Sequence, residues 1–186
     1  MKVLRALVLV LVCAPVSALA AGGHDSVGCS GCHSIHSAKG AIIFAVPANK
    51  ASVNPKTQKP YTGSTALCLG CHEDASKGGQ GYAPVSGHLS HPYGVTTVNP
   101  KVASVPPELL RNGSFECVSC HDPHMSNPNK SYLRVDIGAK GEKMDAFCAV
   151  CHSVKADPSM APAKFTVFTS MDESRRPAAP AAPAKK

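Results

Sequence analysis

The sequence has no tryptophan, and aromatic residues make up only 5 % of its 186 positions. A chain so poor in large apolar side chains buries a thin core, so a fold held by protein packing alone is not expected. Beyond the first 20 residues it has no hydrophobic run approaching the roughly 20 apolar residues that a spanning helix needs. There is no basic helix and no cluster of basic and aromatic side chains on which bases could stack, so nucleic-acid binding is not expected. The formal charge of +7 does not change this, because it falls to +5 once Lys2 and Arg5 are set aside. Proline and glycine are plentiful, at 16 and 15 residues, and point to an irregular, loop-rich chain.

Lys2 and Arg5 open the sequence, Ala6–Val12 is an unbroken apolar run, and Ala18-Leu-Ala20 is a small-x-small signal. This pattern predicts a secretory signal peptide over 1–20, cut after Ala20. A retained membrane anchor fits less well, since the run is short and Pro15 follows it. Cys13 follows Val12 rather than a small residue, which argues against a lipoprotein signal. It would be lost with the leader. The expectation is therefore a protein exported to the periplasm or beyond, with no transmembrane segment in the mature chain.

The other eight of the nine cysteines fall into four pairs, each followed by histidine. They are Cys29-Ser-Gly-Cys32-His33, Cys68-Leu-Gly-Cys71-His72, Cys117-Val-Ser-Cys120-His121 and Cys148-Ala-Val-Cys151-His152. Cys-x-x-Cys-His reads as a c-type haem attachment site. Two thiols one helical turn apart add to the two vinyl groups of one haem, and the next residue supplies an axial imidazole. Structural zinc, a redox dithiol and disulfides also use paired cysteines, but none requires a histidine after every pair. Four covalent haem c groups are expected, and they would supply the apolar mass that the chain lacks. Their propionates would bring the holoprotein to near neutral or acidic. The predicted fold is irregular and loop-rich, with short α-helices at the haem motifs, little β-structure and a core built around four haems. Without haem such a chain should be largely unfolded.

The first motif continues to His36 and the third to His124, both as Cys-x-x-Cys-His-x-x-His, whereas the second and fourth stop at the motif histidine. The chain thus contains two repeats, about 24–77 and 108–155, in one tetrahaem domain over 21–155. A histidine three residues beyond a motif histidine cannot pass around the porphyrin to the same iron, so His36 and His124 would each bind a different haem. His91 precedes Pro92, which forces it into an extended conformation suited to a ligand presented from a loop. Ala41–Val46 is apolar and reads as a short strand, Pro106-Pro107 as the opening of a helical turn, and Lys164–Thr169 as an edge strand. The extension over 156–186 ends in a Pro/Ala-rich tail expected to be disordered.

Taken together, the doubled Cys-x-x-Cys-His units, Cys117-Val-Ser-Cys-His-Asp-Pro-His124 with Tyr132-Leu-Arg134 after it, and Ser90-His-Pro-Tyr-Gly-Val95 resemble the doubled-CXXCH multihaem cytochromes over roughly Gly23–Val154. That resemblance implies a periplasmic or extracellular electron carrier with bis-His haems, and some similar small tetrahaem proteins stack into extracellular filaments. It implies that the motif histidines His33, His72, His121 and His152 are opposed by His36, His124, His91 and one more. His24 and His88 compete for that place. His24 is favoured, because Gly23-His-Asp25 resembles an N-terminal ligand segment of the family. Met125 is an alternative ligand, with His124 beside it the better one.

Electron transfer among closely spaced haems is the leading expectation, with redox proteins as partners and no catalytic residues. A homo-oligomer or filament is a further possibility, in which His24 on a flexible N-terminus reaches a neighbouring subunit. The alternative is a multihaem oxidoreductase with one open-site haem reducing a small nitrogen or sulfur compound. No Cys-x-x-Cys-Lys variant is present to favour it.

Overall fold

The computed structural model describes residues 23–85, 91–152 and 166–171. The expected signal peptide, His88 and the Pro/Ala-rich tail lie outside the described residues. Among the described residues there are four α-helices, and each carries one of the cysteine pairs: α1 Gly28–Cys32, α2 Gly63–His72, α3 Cys117–Cys120 and α4 Met144–His152. Short 3₁₀ turns punctuate the connections at Gly23–Ser26, Ala41–Ile43, Ala75–Lys77, Pro107–Leu109 and Lys130–Tyr132. The described residues contain no β-strand, only isolated bridges such as His33 with Phe44 and His121 with Leu133. The chain is therefore loop-rich with short helices at the motifs, and the turn at Pro107 forms as its prolines imply.

Two strand expectations fail. The 41–46 segment folds as a 3₁₀ turn running into the Phe44 bridge, with Ile42 and Ile43 at φ 60° and 49°. Left-handed backbone at two β-branched residues is costly, and the surrounding bonds say what imposes it. The Ile42 carbonyl meets His33 Nδ1 at 3.1 Å, and the Ile43 carbonyl accepts the Ser34 amide at 2.7 Å. At the other end, 166–171 forms no strand. Its Phe168 amide donates to the Arg134 carbonyl at 2.7 Å and its Phe168 carbonyl accepts from Arg134 Nε at 3.2 Å.

The first and third motifs share one loop design. After each, the chain turns back and pairs with the motif histidine. Ala45 and Arg134 donate their amides to the Cys32 and Cys120 carbonyls, both at 2.8 Å. Ser34 and Asp122 donate theirs to Ile43 and Tyr132. The second loop also uses left-handed backbone, at Ser131 and Tyr132 with φ 55° and 56°. The two return loops thus share a pattern of backbone hydrogen bonding.

Without sheets, the buried backbone needs other partners, and asparagine amides provide them. Asn49, almost fully buried, donates to the Leu69 and Lys77 carbonyls and accepts the Ala51 and Ser52 amides. Asn127, fully buried, donates to the Asp122 and Leu133 carbonyls and accepts the Asn129 amide. Among the described residues the buried apolar side chains are few and mostly small or aliphatic, including Ala66, Leu69, Val95, Leu109, Val118, Leu133 and Ile137.

Helices α2 and α3 pack together across the two repeats. Glu116 is the hinge of that contact. It caps α3 through a reciprocal capping box with Ser119, and its carboxylate also accepts the Ser64 hydroxyl and the Thr65 amide in the first turn of α2. One side chain thus satisfies donors at two helix starts. Gly63 permits the approach, since a Cβ there would lie 2.8 Å from the carboxylate and its φ is +60°. Glu116→Ala should lower stability by about 1–3 kcal/mol, read from guanidinium unfolding of the holoprotein. Glu116→Gln should recover part of the loss.

Candidate haem centres

Each motif places its two cysteines one helical turn apart at or near the end of a helix, with the histidine at or beyond the last turn. None of the eight thiols is disulfide-bonded. Burial pushes the second thiol of every motif up: Cys32, with Cys29 adding to the effect, Cys71, Cys151, and Cys120, which rises to about 11. Among the described residues no group of three or more His, Cys, Asp or Glu side chains converges as a zinc site requires.

The motif histidines are oriented alike. In each, Nδ1 faces a backbone carbonyl: Ile42 for His33 at 3.1 Å, Tyr82 for His72 at 2.7 Å, Ser131 for His121 at 2.9 Å and Val102 for His152 at 2.9 Å. An Nδ1–H bound this way fixes the tautomer and leaves the Nε2 lone pair available to a metal. The carbonyl comes from the loop nine or ten residues on in the first three motifs and from the inter-repeat segment in the fourth.

Three of these rings are faced by another histidine. His33 and His124 have ring centroids 6.4 Å apart and planes 3° from parallel. His91 and His152 lie at 6.0 Å and 25°. His24 and His72 lie at 5.6 Å and 43°, with their Nε2 atoms 3.4 Å apart. Two imidazoles sharing one metal ion at about 2.0 Å each put their nitrogens about 4 Å apart and their centroids about 6 Å apart. The centroid spacings of the three pairs suit a bis-histidine haem iron, while the His24 and His72 Nε2 atoms, at 3.4 Å, lie closer together than two ligands of one iron.

His36 and His121 stand apart from this pattern. His36 is exposed, and its side chain makes no hydrogen bond, ion pair or ring contact with another described residue. The ring of His121 is not stacked on that of any other described histidine. His24 sits in the Gly23–Ser26 turn against its own chain rather than on a free N-terminal arm. Tyr132 holds it there by stacking on the ring at 5.2 Å, while its hydroxyl donates to the Asp25 carboxylate at 2.6 Å and accepts the Asp25 amide at 2.8 Å. Burial and the Asp25 bond push the Tyr132 phenol up, so it remains a donor.

Residues 109–157 match the family model of the doubled CXXCH motif. No curated protein and no solved structure matches the chain. The matched segment contains α3, α4 and their two motifs. It is similar to c-type haem-binding cytochromes, and its motifs indicate covalently attached haem c. No helix among the described residues is long and apolar enough to cross a membrane.

Sequence reasoning passed over Glu116 and gave no role to Asp122, Tyr132 or Arg134, which it met only within the motifs that carry the resemblance. Arg134 donates to the Val118, Glu108 and Phe168 carbonyls and so ties α3, the Pro107 turn and the 166–171 strap together. Asp122 is fully buried beside His121 and accepts from Ser170 and His124. Burial alone would raise its carboxyl, but those hydrogen bonds outweigh it and hold the group below the usual range. The Asp-Pro-His spacing of the third motif could have pointed to Asp122, since a carboxylate two residues from a candidate ligand is a common partner for its free nitrogen. Tyr132→Phe removes the hydroxyl that anchors the 23–26 turn. Loss of about 1 kcal/mol should speed hydrogen exchange of amides in that turn about fivefold, measured on the holoprotein.

Proposed function

We propose that this protein is an exported tetrahaem c-type cytochrome that carries electrons and has no substrate chemistry of its own. The observation that carries the reading is the facing of three motif histidines by three further histidines, in a chain whose paired cysteines occur four times. Bound haem supplies reversible one-electron Fe(III)/Fe(II) exchange. The residues of this chain hold the cofactor, choose the ligands and exclude substrates from the metal. In this reading Cys29, Cys32, Cys68, Cys71, Cys117, Cys120, Cys148 and Cys151 form the thioethers. The axial pairs are His33 with His124, His72 with His24, and His152 with His91. The first of these pairs joins the two repeats, and helices α2 and α3 pack together across them. Both features favour one domain over 21–155 rather than two.

His121 still needs an opposing ligand. His88 of the same chain would complete a closed monomer. His36 is the donor in a second, filament reading, favoured by its exposure and by its lack of a partner among the described residues. The route through His24 is set aside because that side chain faces His72 of its own chain. If neither serves, the His121 haem has an open position, which is the oxidoreductase alternative.

The mass of the intact holoprotein should correspond to four haems, and Cys117→Ser with Cys120→Ser should remove one. Carbon monoxide added to the dithionite-reduced protein should leave the Soret band unchanged if every iron has two protein ligands. A CO-bound species at one haem in His88→Ala supports the monomer. The same species in His36→Ala, together with loss of long assemblies in electron micrographs, supports the filament. CO binding to the unaltered, fully assembled protein would overturn the carrier reading in favour of the open-site enzyme.

A further inference from the structure

The facing histidines His24 and His124 differ from each other, and from the motif histidines, in what holds their outer nitrogens. All four motif histidines use neutral backbone carbonyls, at 2.7–3.1 Å. On the opposing side, His24 Nδ1 is buried without a partner among the described residues. His124 differs from both, with Nδ1 2.7 Å from Asp122 Oδ1 and 2.8 Å from Ser170 Oγ.

The Asp122 carboxylate is fully buried and assembled from two sides. From its own loop come the His124 ring and, at 3.3 Å, the His124 amide. From the 166–171 strap come the Ser170 amide at 2.5 Å on Oδ2 and the Ser170 hydroxyl at 2.9 and 3.0 Å. The strap is itself fixed by the double link between Phe168 and Arg134. With its Nε2 directed at a metal, His124 must carry its proton on Nδ1, so the ring donates and the carboxylate accepts. A charge-assisted bond of this kind is stronger than one to a carbonyl and makes the imidazole a stronger electron donor.

We propose that Asp122, locked by Ser170 of the C-terminal strap, strengthens His124 as a ligand and makes the haem of Cys29 and Cys32 the lowest-potential haem of the set. A more electron-donating axial ligand favours the ferric iron, and hydrogen bonding around a ligand is one of the levers that set haem potential. Asp122 acts through His124 and is a positioning residue, not a ligand. The proposal rests on the reading that His33 and His124 share one iron. It assigns a redox role to a C-terminal segment lying beyond the last haem motif and outside the doubled-motif match.

The test is a spectroelectrochemical titration of the purified holoprotein, with EPR of the ferric state, on the unaltered protein and on Asp122→Asn, Asp122→Glu, Ser170→Ala and His124→Ala. Asp122→Asn keeps the shape and removes the charge. It should raise the lowest midpoint potential and shift one low-spin EPR signal, with haem content unchanged. Ser170→Ala should move the same wave in the same direction by less. Asp122→Glu should restore it at least in part. The haem that moves should be the one converted to high spin by His124→Ala. An unchanged lowest wave in Asp122→Asn overturns the proposal, as does a uniform shift of all waves with no change in the EPR signals, which would be a general charge effect. If Asp122→Asn fails to take up haem, Ser170→Ala decides by the same criteria. A His124→Ala protein that stays entirely low-spin would instead sink the axial pairing, so failure of that reading is separable from failure of the proposal.

Discussion

The hydrogen bond from each motif histidine to a backbone carbonyl is the constraint on which the other features depend. The helix that carries a cysteine pair is at most ten residues long and cannot by itself hold the next residue's ring in one orientation. The chain must come back and present a carbonyl at the correct height. In the first and third motifs it does so through a return loop that also pairs backbone with the motif histidine. The cost is left-handed backbone at Ile42, Ile43, Ser131 and Tyr132. At two isoleucines that cost is substantial, and it is accepted because the alternative, an extended run, would turn the Ile42 carbonyl away from His33.

The same constraint explains why the fold has so little regular structure. Return loops of nine or ten residues are too short for another helix and too tightly curved for a ladder. Their inward polar groups are satisfied one at a time, by Asn49, Asn127 and Arg134 rather than by neighbouring strands. Glu116 serves the two central helices in the same manner, one carboxylate for two helix starts. Side chains that behave as backbone substitutes are therefore concentrated next to the motifs, where the chain reverses most sharply.

This pattern also divides what was legible in the sequence from what was not. The helices at the motifs, the loops between them and the turn at Pro107 follow from local spacing and composition. The Ala41–Val46 run was misread because β-branched residues favour strands when nothing else acts on them. What acted on them was a ring nine residues upstream, and local pattern carries no record of that. Glu116, Tyr132 and Asp122 escaped for a related reason. Their partners Ser64, Asp25 and Ser170 are about 50 or more positions away, and no periodicity links such pairs. Histidine count alone gave one more candidate ligand than four haems require. Only the arrangement in space separates His24, His91 and His124, which face motif histidines, from His36, which faces none.

The span of the facing pairs bears on how such a chain folds. His24 and His72 are 48 positions apart, and His33 and His124, like His91 and His152, lie still farther apart in sequence. Bringing such distant segments together costs loop entropy, and the buried apolar residues are too few and too small to offset it comfortably. Closing each pair over one metal would contribute the missing free energy, much as structural metals fold small domains that are unfolded without them. On that argument the polar network is arranged to orient rings rather than to hold the fold alone. Attachment of cofactor and acquisition of tertiary structure would then be one event, and the long-range pairs that could not be read from the sequence would be the ones that cofactor binding forms.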